Sequence, residues 1–407
     1  MKAGWKRVKL GELSLIITKG ATPRKGSYLE EKMVSFVRAE NVGESIVSAE
    51  NLKYISRELH ENDLKRSRLE EGDLLITIAG AIGRTSLVDS SLLPANINQA
   101  VAVVRLDQHL VDRRFVFYFL RQQYLVSGLN AISSGQSVQA NLNLKQVGNI
   151  DIDLPPLPTQ RRIAAVLGAL DDKIELNRKM NANLEAQAQA LFKSWFVDFA
   201  PWGGKMPKEW KMGTLGEVCS KLTDGSHFSP KDDASSNIPM LSVKDMGSDD
   251  FDYSKCKHIS EADFKGMSAN GCVPLIDDIL VAKDGSYLKS IFIVNESKRQ
   301  AVLSSIAIFR PNQRVVRPEY LLNLLRQPLI LEDVKRNYVS GTGVPRIVLK
   351  DFRRYPVVVP PLEVQDKING ALHEIRLMIA MNIEESRKLA ETRDALLPKL
   401  MSGEVEV

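Results

Sequence analysis

The chain has 407 residues, 44% of them hydrophobic, with 55 Lys and Arg against 50 Asp and Glu. That length predicts two or three domains, and that composition fills ordinary cores, so disorder is excluded as the general state. The net charge of +5 admits nucleic acid as a partner without establishing it.

No apolar run reaches the roughly 18 residues of a membrane span. The opening residues lack the apolar stretch of a secretory signal. The expectation is a soluble, cytoplasmic protein without membrane contact. Cys219, Cys256 and Cys272 are too few, and odd in number, for a disulfide framework, so they are read as core fillers.

In chain order, short β-type runs come first: residues 74–78 and 101–105, with Gly-, Asn- and Ser-containing turns between them. A helical pattern follows over 115–124. Pro155-Pro156-Leu157 then closes a strand, and from Ile163 the pattern becomes a single long helix. Its apolar seam runs Ile163, Leu167, Leu170, Ile174, Asn177, Asn181, Leu184, Ala188, Leu191 and Trp195, in steps alternating four and three. Some 37 residues at 1.5 Å each predict a rod of roughly 55 Å. After a short linker, Pro201-Trp202-Gly203-Gly204, the whole order begins again.

The second passage repeats the first at an offset of 205 residues. Trp5-Lys6 returns as Trp210-Lys211, Gly72-Asp73-Leu74-Leu75 as Asp277-Asp278-Ile279-Leu280, and Phe119-Leu120-Arg121 as Leu324-Leu325-Arg326. β-Type runs recur at 279–282 and 307–310, and the helical stretch at 320–325. Pro360-Pro361-Leu362 with Gln365 answers Pro155-Pro156-Leu157 with Gln160. The second seam reads Ile368, Leu372, Ile375, Ile379, Asn382, Ser386, Leu389, Arg393, Leu396 and Leu400. Such an ordered series marks a tandem duplication. Asn177 and Asn382 hold the same heptad position, and a buried Asn needs a polar partner. The two helices are therefore expected to pair with each other, antiparallel, rather than each lie only on its own domain. The fold class read from this is α+β: two pseudo-symmetric mixed α/β domains separated by a long antiparallel two-helix coiled coil.

The junction Leu154-Pro155-Pro156-Leu157-Pro158-Thr159-Gln160, the run Ile174-Glu175-Leu176-Asn177, the segment Leu191-Phe192-Lys193-Ser194-Trp195-Phe196 and the tail Leu396-Leu397-Pro398-Lys399-Leu400-Met401-Ser402-Gly403 resemble the specificity subunits of type I restriction-modification enzymes. The likeness runs along essentially the whole chain. It implies a first target-recognition domain over 1–156, a central conserved helix over 157–200, a second recognition domain over 201–361 and a C-terminal conserved helix over 362–407. It also implies a role: each domain reads one half of a bipartite site on double-stranded DNA, and the helices dock two methyltransferase subunits. Restriction/translocase subunits would join that core. S-adenosylmethionine, ATP and magnesium would sit on the partner subunits, with no cofactor or metal on this chain. A type II specificity subunit with a similar reader, or a coiled-coil scaffold without DNA, are the alternatives.

The residues carry no catalytic motif. The Pro-Pro pairs lack the flanking Asp/Asn and Tyr/Phe that hold a flipped base for amino methylation. No Gly-x4-Gly-Lys-Ser/Thr loop is present. Asp63-Leu64-Lys65 and Glu209-Trp210-Lys211 match only the tripeptide of a magnesium nuclease. Cys256-Lys257-His258 is too sparse for zinc. The expectation is a reader and not an enzyme.

Reading bases requires polar or basic side chains on projecting loops. Three loop pairs qualify. The first is Lys19, Thr22, Arg24 and Lys25, matched by Ser226, His227 and Lys231. The second is Gly80 and Arg84, matched by Lys283, Gly285 and Lys289. The third is Ser134, Gly135 and Gln136, matched by Ser340, Gly341 and Thr342 with Arg346 beyond. Arg38 and Asn41, opposite Ser242, Lys244 and Asp245, are expected to add contacts. The two copies differ in these residues, as two readers of different bases would.

Overall fold

In a computed structural model, residues 4–24, 26–43, 45–49, 51–134, 141–285, 287–341 and 344–407 are described. The chain divides into two compact units, Met1–Glu175 with Ser386–Val407, and Leu176–Glu385. The division cuts both long helices, which run Leu157–Phe196 and Leu362–Ser402.

The centre of the first unit is a four-stranded antiparallel sheet. Its strands are β1 (Ser14–Lys19), β2 (Leu74–Thr77), β3 (Thr85–Leu87) and β4 (Val101–Leu106), in the spatial order β1-β4-β2-β3. β2 and β4 are buried along almost their whole length, so they read as continuous apolar runs instead of alternating ones. Beside them lies a three-stranded sheet with Val34–Val37 in the middle, paired to Lys53–Ile55 and, in parallel, to Ala95–Ile97. Lys6–Lys9 pairs with Asp151–Leu154 and closes the chain end onto the entry to the long helix.

The second unit repeats this plan. β5 (Cys219–Asp224), β6 (Ile279–Ala282), β7 (Ile291–Ile293) and β8 (Ile306–Pro311) form a sheet in the order β5-β8-β6-β7. Pro239–Leu241 stands between Lys257–His258 and Ala301–Val302, and Lys211–Thr214 pairs with Pro356–Val359.

The helical stretch expected over 115–124 is two helices, Arg113–Leu120 and Gln123–Ser134. Its counterpart is also two, Pro318–Leu325 and Pro328–Asn337. In the second copy Pro328 cannot continue the preceding helix and begins a new one. The long helices begin at Leu157 and Leu362, earlier than the seam implies. Pro158 fits the first turn, where its missing N–H has no partner to lose.

The Gln of each junction motif fastens the helix to its domain. Gln160 accepts from the Asp112 N–H at 2.9 Å and donates to the Pro155 carbonyl at 2.8 Å. Gln365 accepts from the Arg317 N–H at 2.8 Å and donates to the Pro360 carbonyl at 2.8 Å. Both side chains are buried, so each leaves no polar atom uncompensated.

The two helices serve two partners at once. In the first unit Ile163, Leu167, Leu400 and Met401 share one core with Phe115 and Phe119. In the second, Ala188, Phe192, Ile368 and Leu372 share one with Tyr320 and Phe352. Helix pairing and helix-on-domain packing are therefore combined. The remaining seam positions, Leu170, Ile174, Leu184, Leu191, Ile375, Leu389 and Leu396, are half-buried, and Ile379 is buried.

The polar seam positions find partners. Within the second unit, Asn177 donates to the Glu385 carboxylate at 2.8 Å, and Asn382 donates to the Asn181 side-chain oxygen at 2.7 Å. Asn181 donates to the Ile379 carbonyl at 3.4 Å. Rising numbers on one helix meet falling numbers on the other, so the pairing is antiparallel. Within the first unit, seam residue Arg393 meets buried Asp171 at 2.6 Å, and the Tyr118 hydroxyl donates to the same carboxylate at 2.7 Å. Burial and the neighbouring carboxylate push the Tyr118 hydroxyl far above its usual value, so it stays a donor.

Candidate nucleic-acid interface

The sheet register decides which loops meet. β1 ends at Lys19, opposite Ala102, and β2 ends at Thr77, opposite Val101. Both strands run antiparallel to β4 and therefore leave the sheet at the same end, where β4 enters. The loop after β1, the loop after β2 and the turn Asn98-Gln99-Ala100 before β4 gather there. Leu142 donates to the Ile78 carbonyl at 2.8 Å, so the chain emerging from the third loop lies against the second.

The second unit builds the same end. β5 ends at Asp224 opposite Ala307, and β6 ends at Ala282 opposite Ile306. Gly285 donates to the Pro345 carbonyl at 2.8 Å, and Ile347 to the Lys283 carbonyl at 3.0 Å, joining the second and third loops. The fourth segment joins too, because the Val243 N–H donates to Ser305 Oγ at 3.1 Å.

Two glycines at equivalent positions make the crossing possible. A Cβ on Gly20 would lie 1.8 Å from the Ile97 carbonyl oxygen, and one on Gly225 would lie 2.3 Å from that of Val302. Gly80 and Gly285, also equivalent, turn the second loops with φ of +75° and +67°.

The side chains proposed from sequence divide into groups. Lys19, Thr22, Arg24, Gly80 and Arg84 are exposed in the first unit; His227, Lys231, Lys244, Gly285, Lys289, Ser340, Gly341 and Arg346 are exposed in the second. Arg38 is half-buried, paired with Glu40 and donating to the Asn51 carbonyl at 3.1 Å.

Four candidates are buried: Asn41, Ser226, Lys283 and Asp245. Asn41 is buried and accepts from the Arg38 N–H at 3.0 Å, capping a short helical turn. Ser226 is buried and hydrogen-bonds the backbone of Phe228. Lys283 is only 6% exposed, its ammonium 3.0 Å from Asp224 and 3.6 Å from Asp284. A buried ammonium requires such partners, and Lys283 ties the first loop to the second. Asp245 is likewise an internal cap, accepting from Ser242. Ser134 closes its helix. Lys25, Gly135, Gln136 and Thr342 lie outside the described residues.

The turn before β4, with its counterpart Leu303-Ser304-Ser305, was not among the candidates. Exposed Gln99 there accepts from the Thr22 hydroxyl and belongs to the same end. A polar Asn-Gln pair between two strand-like runs was the available signal.

The cysteines stay in the core. Burial pushes the Cys219 thiol up to about 12, and raises Cys256 and Cys272 as well, which leaves them protonated at neutral pH and poor nucleophiles. Among the described residues no cluster of three His, Cys, Asp or Glu side chains could hold a metal ion, and no helix is long and apolar enough to cross a membrane.

The sequence profile described as "Type I restriction modification DNA specificity domain" matches twice, over residues 2–186 and 207–390. The chain belongs to the type I restriction-modification DNA specificity family. This specificity subunit is 26% identical over 379 residues to the type I restriction enzyme MjaIX specificity subunit of Methanocaldococcus jannaschii, spanning 87% of this chain and 84% of that one. It is 23% identical to the HindI specificity subunit of Haemophilus influenzae, over 98% and 99% of the two chains. Its fold matches the crystal structure of a type I S subunit from M. genitalium with a TM-score of 0.56, at 17% identity and 98% coverage of both chains. As a specificity subunit it is a non-catalytic reader of DNA sequence. The two family matches fall one on each half of the duplication.

Proposed function

We propose that the loop end of each sheet is the DNA-reading surface, so that each unit recognises one half of a bipartite duplex site. The observation that carries this is the recurrence of one construction, four segments gathered at the same end of an identically ordered sheet, with different side chains on the two copies. A shared frame with divergent exposed groups is what two readers of different bases require. In this reading the long helices dock two methyltransferase subunits, and restriction subunits join them. S-adenosylmethionine, ATP and magnesium are held by those partners, in the cytoplasm.

Exchange of residues 1–155 for the corresponding domain of another family member is the direct test. Methylome sequencing should show one block of the methylated site changed and the other retained. A change in both blocks refutes one-domain-one-block reading.

In this reading the exposed Arg24 and Arg84 meet phosphates. The double change Arg24→Gln, Arg84→Gln should make the dependence of log affinity on log salt shallower by about 1.8, since each phosphate contact contributes about 0.9. The methylated sequence should stay the same. An unchanged slope places both side chains away from the duplex.

A further inference from the structure

The loop end of the second unit bears an exposed apolar side chain that the polar and basic candidates leave unexplained. Phe228 is 64% exposed, on the loop that follows β5. Exposure of a large ring costs free energy that a loop could avoid by turning it inward.

The backbone around it is braced on both sides. Upstream, buried Ser226 donates its N–H to the Val302 carbonyl at 2.8 Å and accepts from the Ser304 N–H at 2.8 Å. Its hydroxyl accepts from the Phe228 N–H at 3.1 Å and donates to the Phe228 carbonyl at 2.8 Å. Downstream, the Lys257 ammonium donates to Ser229 Oγ at 3.1 Å and to the Pro230 carbonyl at 2.8 Å. The ring is thus carried on a fixed frame, which lowers the entropy lost when it meets a partner.

A second exposed apolar side chain, Val344 at 64%, belongs to the same end. It stands beside Gly285, whose Cβ position is 3.8 Å from Val344 Cγ1. At the equivalent position after β1 the first unit has Pro23, which is buried.

We propose that Phe228 recognises the 5-methyl group of a thymine in the half-site of the second unit. The proposal rests on the reading of the loop end as the DNA surface. Base edges and phosphates are otherwise polar, and the thymine methyl is the apolar feature that the major groove presents. Exposed Lys231, Lys244 and Arg346 supply charge for the flanking phosphates at the same end. Insertion of the ring between base pairs is the competing mode, and it would be indifferent to the methyl group.

The test uses the full chain assembled with its methyltransferase subunits, and duplexes carrying the methylated sequence. Each thymine of the second block is replaced in turn by deoxyuridine, which lacks only the methyl. At one position the parent should lose about fourfold in affinity, the worth of one buried methyl group. Phe228→Ala should bind the thymine and uracil duplexes equally, and Phe228→Leu should keep part of the difference. The proposal is overturned if the second block contains no thymine on either strand, or if no replacement weakens the parent. It is equally overturned if Phe228→Ala still discriminates. Failure of the parent to prefer its own site over a scrambled duplex would instead refute the reader assignment beneath it.

Discussion

Arg393→Met is expected to destabilise the Met1–Glu175 and Ser386–Val407 unit by about 3 kcal/mol, the low end of the cost of removing one partner from a buried ion pair. Arg393 lies 2.6 Å from Asp171, whose side chain is almost wholly buried. Loss of the cation leaves that carboxylate with the Tyr118 hydroxyl and with the charge of Arg121, which lies near enough to feel it. The low end is chosen because Arg121 compensates in part. The double variant Arg393→Met, Asp171→Leu should recover most of the loss, because a well-packed apolar pair replaces a buried ion pair at little cost. Hydrogen exchange of the Arg113–Leu120 amides reads the unit directly. A single variant within 1 kcal/mol of the parent would mean that the pair does not hold the helices to the domain.

Gly20→Ala should remove recognition of the first block while the second is still read. Its Cβ would fall 1.8 Å from the Ile97 carbonyl oxygen and 2.6 Å from that of Asn98, both backbone atoms that cannot turn aside. The loop after β1 must then lift away, at a cost above the 1–3 kcal/mol of ordinary overpacking. Gly225→Ala, with contacts of 2.3 and 2.5 Å to Val302 and Leu303, should do the converse. Gly128→Ala is the control, since no atom lies within 4 Å of its Cβ position. Methylome sequencing separates the three. Retention of both blocks by Gly20→Ala would show that this loop does not position the reading surface.

The two glycines also show where sequence reading stops. Their presence in turn-like segments is visible in the chain, but the need for them arises from backbone brought over them by the neighbouring sheets. The duplication was legible because motifs recur in order along the chain, and the heptad spacing because it is a local period along one helix that side-chain chemistry imprints directly. The Gln of the junction could be seen to recur; that it fastens helix to domain through two backbone groups could not. Arg393 stands in the heptad series, but its partner Asp171 is 222 residues away and no local spacing points to it.

What determined the candidate surface was strand order. Register places Lys19, Thr77 and the turn at Gln99 at one end of a sheet, and no feature of any single loop announces that. The same tertiary pairing decided which cations face outward. Arg84 and Lys283 both lie in the loop that follows a central strand, β2 in one unit and β6 in the other. Lys283 is drawn inward because Asp224, on a different strand, comes within 3.0 Å of it. Spacing along the chain sets period and composition; the burial of a charge depends on an opposite charge arriving from elsewhere, and only the folded chain brings the two together.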